Sequence, residues 1–231
     1  MSPKLIPAKT FAEKTIDFYS SLKTPKGLPA GVEVLDPYTK SPTRELVAAF
    51  MKKYFSDTKE RTLIIGINPG RLGGGATGVH FTDPKALREF CGIPNDLPPT
   101  REVSSQFIYE MIAAYGGVED FYSNFFLTAA SPLGLVKGGV NYNYYDDPKT
   151  QKAMAPFIYE SIEASIKLGC RRDVAIVLGT GKNFQFLSKL NAEKKIFGKL
   201  YELEHPRFIM QYRRKRKEEY IKKYVELLRV I

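Results

Sequence analysis

TLIIGINPGRLGGGATGVHF, residues 62–81, is a continuous apolar run that passes through Pro69 into a loop carrying five glycines between Gly70 and Gly78. A β-rich run without polar alternation reads as a strand buried on both faces, the habit of parallel sheets covered by helices. Working outward, 125–131 (FFLTAAS), 174–179 (VAIVLG) and 198–205 (GKLYELEH) read as further strands. Helical periodicity fills 43–55, 84–91, 104–115, 148–168, 183–190 and 217–228. This alternation predicts a three-layer α/β/α domain around a central four-stranded, mostly parallel sheet. The domain spans 27–231, preceded by an extension, 1–26, with a short helix of its own. Asp147 and Pro148 mark the start of the longest helix, and Pro156 inside it predicts a kink or break. The stretches 69–78 and 136–147 read as loops that follow strands. The remaining strands end in Gly179-Thr180-Gly181-Lys182 and His205-Pro206-Arg207. Four strand ends therefore converge on the face where open α/β sheets bind ligands.

With 231 residues, 43% of them hydrophobic and 26% charged, the chain can bury a core. No run is long and apolar enough to cross a membrane, and the first residues lack the apolar region of a secretory signal, so the expectation is a cytoplasmic protein, or a nuclear one if eukaryotic. Two cysteines, Cys91 and Cys170, and two histidines, His80 and His205, stand at no metal-ligand spacing; no metal and no cofactor are expected. The net charge of +10 favours a polyanionic partner. Nine basic residues against three acidic ones lie between Arg207 and Arg229, so most of the excess sits at one end. A basic, partly helical tail is also compatible with a merely solvated face. The glycine-rich loop is not closed by the Gly-Lys-Ser/Thr of a phosphate-binding loop, and no acidic ribose reader follows on a second strand. Nucleotide-cofactor enzymes are thereby disfavoured, and "LGTGKN" at 178–183 has neither the glycine spacing nor the hydroxyl for magnesium.

Gly66-Ile67-Asn68-Pro69-Gly70, followed by Thr77-Gly78-Val79-His80-Phe81, resembles the first motif of the uracil-DNA glycosylase superfamily, in particular its single-strand-selective monofunctional branch. The step of thirteen residues from Asn68 to Phe81 is the same. His205-Pro206-Arg207 resembles the second motif, His-Pro followed by a basic wedge loop. Weaker echoes are "EVSS" at 102–105, "SPLGL" at 131–135 and the turn at 178–183.

The resemblance implies a monofunctional enzyme of base excision repair that flips a damaged nucleotide out of DNA and hydrolyses its N-glycosidic bond. Gly66, Ile67, Pro69 and Gly70 would form the pocket wall and Phe81 the stacking platform. His205 would donate to the departing base, and Asn68 would hold the attacking water, which a carboxamide cannot itself deprotonate. Pro206, Arg207, Phe208, Met210, Gln211, Tyr212 and Arg213 would form a wedge, its apolar members alternatively tucking into the core. Gly181, Lys182 and Asn183 would clamp a phosphate at a helix start. No lysine occupies a motif position for a Schiff base, so strand cleavage is not expected.

Two departures bear on the substrate. The position where the family reads uracil with an asparagine is Ala129, leaving Asn141 or Asn143 as candidates to reach in. Gly70 stands where the strictest branch has a tyrosine, which opens space for oxidised pyrimidines or deaminated purines such as xanthine or hypoxanthine. His80 replaces a proline. The partner expected is DNA, single-stranded or duplex, met by a monomer. The contrasting possibility is a non-catalytic module that binds single-stranded or damaged nucleic acid.

Overall fold

A computed structural model describes residues 8–231. In chain order the elements are α1 Phe11–Ser21, β1 Val32–Leu35, α2 Ser41–Tyr54, β2 Arg61–Gly66, α3 Gly74–Thr77, α4 Pro84–Glu89, α5 Val103–Tyr115, α6 Val118–Asn124, β3 Phe125–Ala129, β4 Gly134–Lys137, β5 Val140–Tyr142, α7 Pro148–Leu168, β6 Cys170–Leu178, α8 Lys182–Lys194, β7 Lys199–Leu203, α9 Pro206–Tyr212 and α10 Lys217–Val230. The central sheet has the order β3-β2-β6-β7 and is parallel throughout. Helices cover it in a three-layer α/β/α arrangement. Every residue of β2 and β3 is buried, which is why both read as unbroken apolar runs.

A second sheet was not visible in the residue pattern: β1, β4 and β5 form a three-stranded antiparallel sheet that occupies part of the presumed 136–147 loop. Lys137 pairs with Val140 across Gly138 and Gly139, both at positive φ. That is the two-residue hairpin turn which a Gly-Gly pair between alternating residues favours.

The expected break at Pro156 is absent, and α7 runs for 21 residues. Pro156 and Lys152 are both exposed, so the carbonyl freed four residues upstream faces water and the lost bond costs less than in a buried helix. The helix expected near the N-terminus is α1, capped by a reciprocal Thr10–Glu13 pair and seated in the core through Phe11, Ala12, Thr15 and Tyr19.

Among the described residues, Arg61 is a charged residue that lies wholly inside. Its guanidinium is bonded to Asp57 and to the carbonyls of Tyr54, Lys59 and Tyr122, and stacked near Phe11 and Phe55. Such a charge is tolerated only because its donors are satisfied. It fixes the entry to β2 and so the register of the strand that delivers the glycine loop.

Candidate active site

β2 ends at Gly66 and releases Asn68; beside it β3 ends at Ala129, and β7 ends two residues before His205. Residues from these ends and from the starts of α3 and α5 enclose a narrow inner pocket of about 40 Å³. It opens into an outer groove of about 420 Å³ bounded by the β5–α7 segment and α9.

Phe81 forms one wall. Its φ of +56° is a left-handed conformation that costs a residue other than glycine about 1–2 kcal/mol. The turn is held by Thr77, whose hydroxyl donates to the Thr82 carbonyl at 2.6 Å and accepts from the Val79 amide at 3.1 Å. The ring lies directly over Gly66, where a Cβ would stand only 2.5 Å from its Cε2 and Cζ. The glycine that ends β2 is thus the space into which the Phe81 ring settles.

His205 faces Phe81 with ring centroids 5.7 Å apart. It caps α9, its Nδ1 accepting the Arg207 backbone N–H at 3.1 Å. That bond assigns the ring hydrogen to Nε2, which is left as a donor. Burial, aided by the Arg207 charge, pushes the imidazole down to about 4, so the ring is neutral at physiological pH.

Asn68 is oriented by the end of β5 and by the second residue beyond it. Its Nδ2 donates to the Tyr142 carbonyl at 3.0 Å and its Oδ1 accepts the Tyr144 amide at 3.3 Å. One amide hydrogen and one lone pair remain for a ligand. The hairpin missed in the sequence is therefore what aims Asn68.

Glu102 and Ser104 also line the pocket, and neither was picked out as a site residue. Glu102 precedes the first turn of α5 without capping it, and its carboxylate lies across the glycine loop. Burial pushes the carboxyl up to about 7, Arg207 opposing and Asp83 adding to the shift. The signal available in the sequence was an acidic residue at a helix start that the helix does not use.

Ile67, Pro69, Gly70, Phe81 and Ala129 come together as pocket lining, with Gly66 at the strand end beneath Phe81. Four expectations need correction. The room left by Gly70 is not open: a Cβ there would meet Glu102 Oε1 at 2.9 Å and Asn141 Nδ2 at 3.1 Å. Asn141 and Asn143 line the outer groove, not the inner pocket. The Asn141 Oδ1 accepts the Arg71 amide and so ties β5 to the glycine loop, whereas the Asn143 Nδ2 donates to Asp146 within its own turn.

Asn183 is buried and faces no ligand. Its amide donates to the carbonyls of Leu178 and Gly66 while its Oδ1 accepts the Tyr144 hydroxyl at 2.6 Å, tying three segments beneath the pocket. Its neighbours Gly181 and Lys182 are exposed at the start of α8. The presumed wedge loop is a short helix, α9. Pro206 at its first turn and the helical spacing turn Arg207, Phe208, Gln211 and Tyr212 outward. Met210 and Pro206 are buried in the core instead. Phe208 and Tyr212 remain exposed beside each other, with the Arg213 guanidinium 5.5 Å from the Phe208 ring.

Farther along, Arg216 pairs with Glu219, Lys217 with Glu110 and Lys223 with Glu204. Among the described residues no carboxylate pairs with Arg213, Arg214 or Lys215, which concentrates the unspent charge next to α9. Among the described residues there is also no cluster of three or more His, Cys, Asp or Glu able to hold a metal, and no helix long and apolar enough to cross a membrane.

Comparison with known proteins agrees with this geometry. Residues 52–229 match the family model described as the uracil DNA glycosylase superfamily. Among solved structures the chain is similar to wild-type SMUG2 of Pedobacter heparinus, with 44% identity, a TM-score of 0.93, and coverage of 96% of this chain and 98% of that one. No curated protein matches the chain.

Proposed function

The chain belongs to the uracil DNA glycosylase superfamily and is a DNA glycosylase, and from that premise we propose that it is a monofunctional enzyme that excises uracil and related deaminated bases. The observation that carries this reading is the convergence of Asn68, Phe81 and a neutral, Nε2-protonated His205 on one small pocket. A flipped base stacks on Phe81 with its oxygen toward His205 Nε2, and its sugar stays in the outer groove. As the C1′–N bond breaks, electrons move onto the base, and a donor aimed at the base oxygen stabilises that charge. Asn68 holds the water on the sugar side. Phe208 and Tyr212 on α9 fill the gap in the stack, and Arg207 with Arg213, Arg214 and Lys215 hold the phosphates. Among the described residues no lysine lines either cavity, in keeping with hydrolysis without strand cleavage.

Ala129 presents no polar side chain to the base, which favours a broader substrate range than uracil alone. The test is single-turnover cleavage of labelled oligonucleotides carrying uracil, hydroxymethyluracil, hypoxanthine or xanthine, single-stranded and duplex. Alkali-dependent breakage at a lesion, slowed about 100-fold in Asn68→Ala, is the expected result. Tight, salt-sensitive binding with no breakage on any substrate would move the protein to the binding class.

The same assay checks the platform. Gly66→Ala forces the Phe81 ring from its seat and is expected to raise the substrate concentration needed for half-maximal rate about tenfold, the scale of a weakened base stack. An unchanged value would show that the ring does not support the base.

A further inference from the structure

We propose that Glu102 accepts the proton of the water that completes hydrolysis, a role that rests on the glycosylase reading above. Asn68, Gly70, Glu102, Ser104 and His205 line both the inner pocket and the outer groove and so mark the throat between them. With the base inside and the sugar outside, the bond to be cut crosses that throat. Glu102 is the one carboxylate lining either cavity among the described residues.

The other polar groups there cannot take a proton. The Asn68 carboxamide has no basic site near neutrality, and a serine hydroxyl is not a base. His205 has its Nδ1 lone pair engaged by the Arg207 amide and its Nε2 already protonated. Glu102 has room only because side chains are missing beneath it: its Oε1 lies 2.9 Å from the Cβ position of Gly70 and its Oε2 1.8 Å from that of Gly73. A side chain at either residue would displace the carboxylate from beside Asn68.

The charges around it set its proton affinity. Arg207 on α9 and His205 at the cap of that helix face it. At the cap of α4, Asp83 does too, its Oδ2 accepting the Glu102 backbone N–H at 2.8 Å. The loop beneath carries Arg71. Arg207 favours the anion, whereas burial and Asp83 favour the acid. The balance lies near neutrality, where a general base works best.

In the step itself the C1′–N bond breaks with its electron pair going to the base nitrogen, and the base anion is held by His205 Nε2–H. The water oxygen bonds to C1′ as its proton passes to the Glu102 carboxylate. Glu102 then releases that proton to solvent, and the base takes one up.

The experiment measures single-turnover base release by the full chain from a single-stranded uracil oligonucleotide across mildly acidic to mildly alkaline pH, for wild type, Glu102→Gln and Glu102→Asp. Wild type is expected to rise along one ionisation near 7 to a plateau. Glu102→Gln should be about 100-fold slower on that plateau and lack the ionisation, while Glu102→Asp keeps it at an intermediate rate. Added formate should restore part of the Glu102→Gln rate and none of the Asn68→Ala rate. Affinity for an abasic-site oligonucleotide should match wild type in Glu102→Gln, and on the alkaline plateau its unfolding midpoint should be no lower than wild type's, because the buried anion is gone; a merely structural role would lower both. A Glu102→Gln rate within about threefold of wild type, or an unchanged pH profile, overturns the proposal and leaves the glycosylase reading standing. A wild type that releases no base from any oligonucleotide overturns both.

Discussion

His205→Ala is expected to slow single-turnover base release about 100- to 1000-fold, the usual loss when a donor to a developing oxyanion is removed. Binding of an abasic-site oligonucleotide should change little, because the donor's partner charge exists only as the bond breaks. The ring is neutral at physiological pH because its burial and Arg207 push it down to about 4. A neutral donor matters here, since an imidazolium would lose its proton to the departing anion instead of holding it by a hydrogen bond. Nδ1 is occupied by the Arg207 amide, so the Nε2 tautomer is fixed by the start of α9 and not by chance. Because His205 does not titrate between mild acid and neutrality, the variant should keep the shape of the wild-type pH profile there while falling uniformly below it. Loss of an ionisation together with the rate would instead assign that ionisation to His205.

Much of the fold was legible because the parallel strands are buried on both faces: TLIIGIN and VAIVLG admit few other readings, and β2 and β3 carry no exposed residue. The antiparallel sheet was not legible as such. Its strands are three or four residues long, half-exposed and short of apolar alternation, and only the Gly138-Gly139 turn announced one pair. The site divides in the same way. Asn68, Phe81 and His205 stand in motifs whose spacing along one strand or at one strand end survives in sequence. Glu102 enters from a helix start distant in the chain, and its relation to Gly70 and Gly73 exists only once the loop has folded beneath it. Asn183 was misread because a polar residue at a helix start suggests phosphate binding, whereas Tyr144 reaches across from the segment after β5 to claim it. The wedge was misread as a loop because seven residues with one proline give little periodicity. His205 and Pro206 supply the cap and first turn that make it helical.

Acid should destabilise the fold through His80, and the loss should begin well above the carboxylate range. The residue is buried, its Nε2 has no hydrogen-bond partner, and its ring lies 6.1 Å from that of Tyr19 on the core side of the Phe81 turn. Burial pushes it down to about 4 from an ordinary 6.5, the Pro132 carbonyl opposing the shift. The unfolded chain therefore binds the extra proton between pH 6.5 and 4, and the folded chain does not. Stability attributable to this group is complete above 6.5, falls as pH drops through that window, and is lost to the extent of about 3 kcal/mol at its lower end. Glu102 works in the opposite sense, since its raised folded value makes the folded chain the better proton binder near neutrality and partly masks the effect. The difference between wild type and His80→Gln in urea denaturation isolates the histidine, because any packing cost of the substitution is the same at every pH. That difference should shift in favour of the variant by about 3 kcal/mol on acidification through the window. A pH-independent difference would mean that the ring is reached by water or finds a partner when charged.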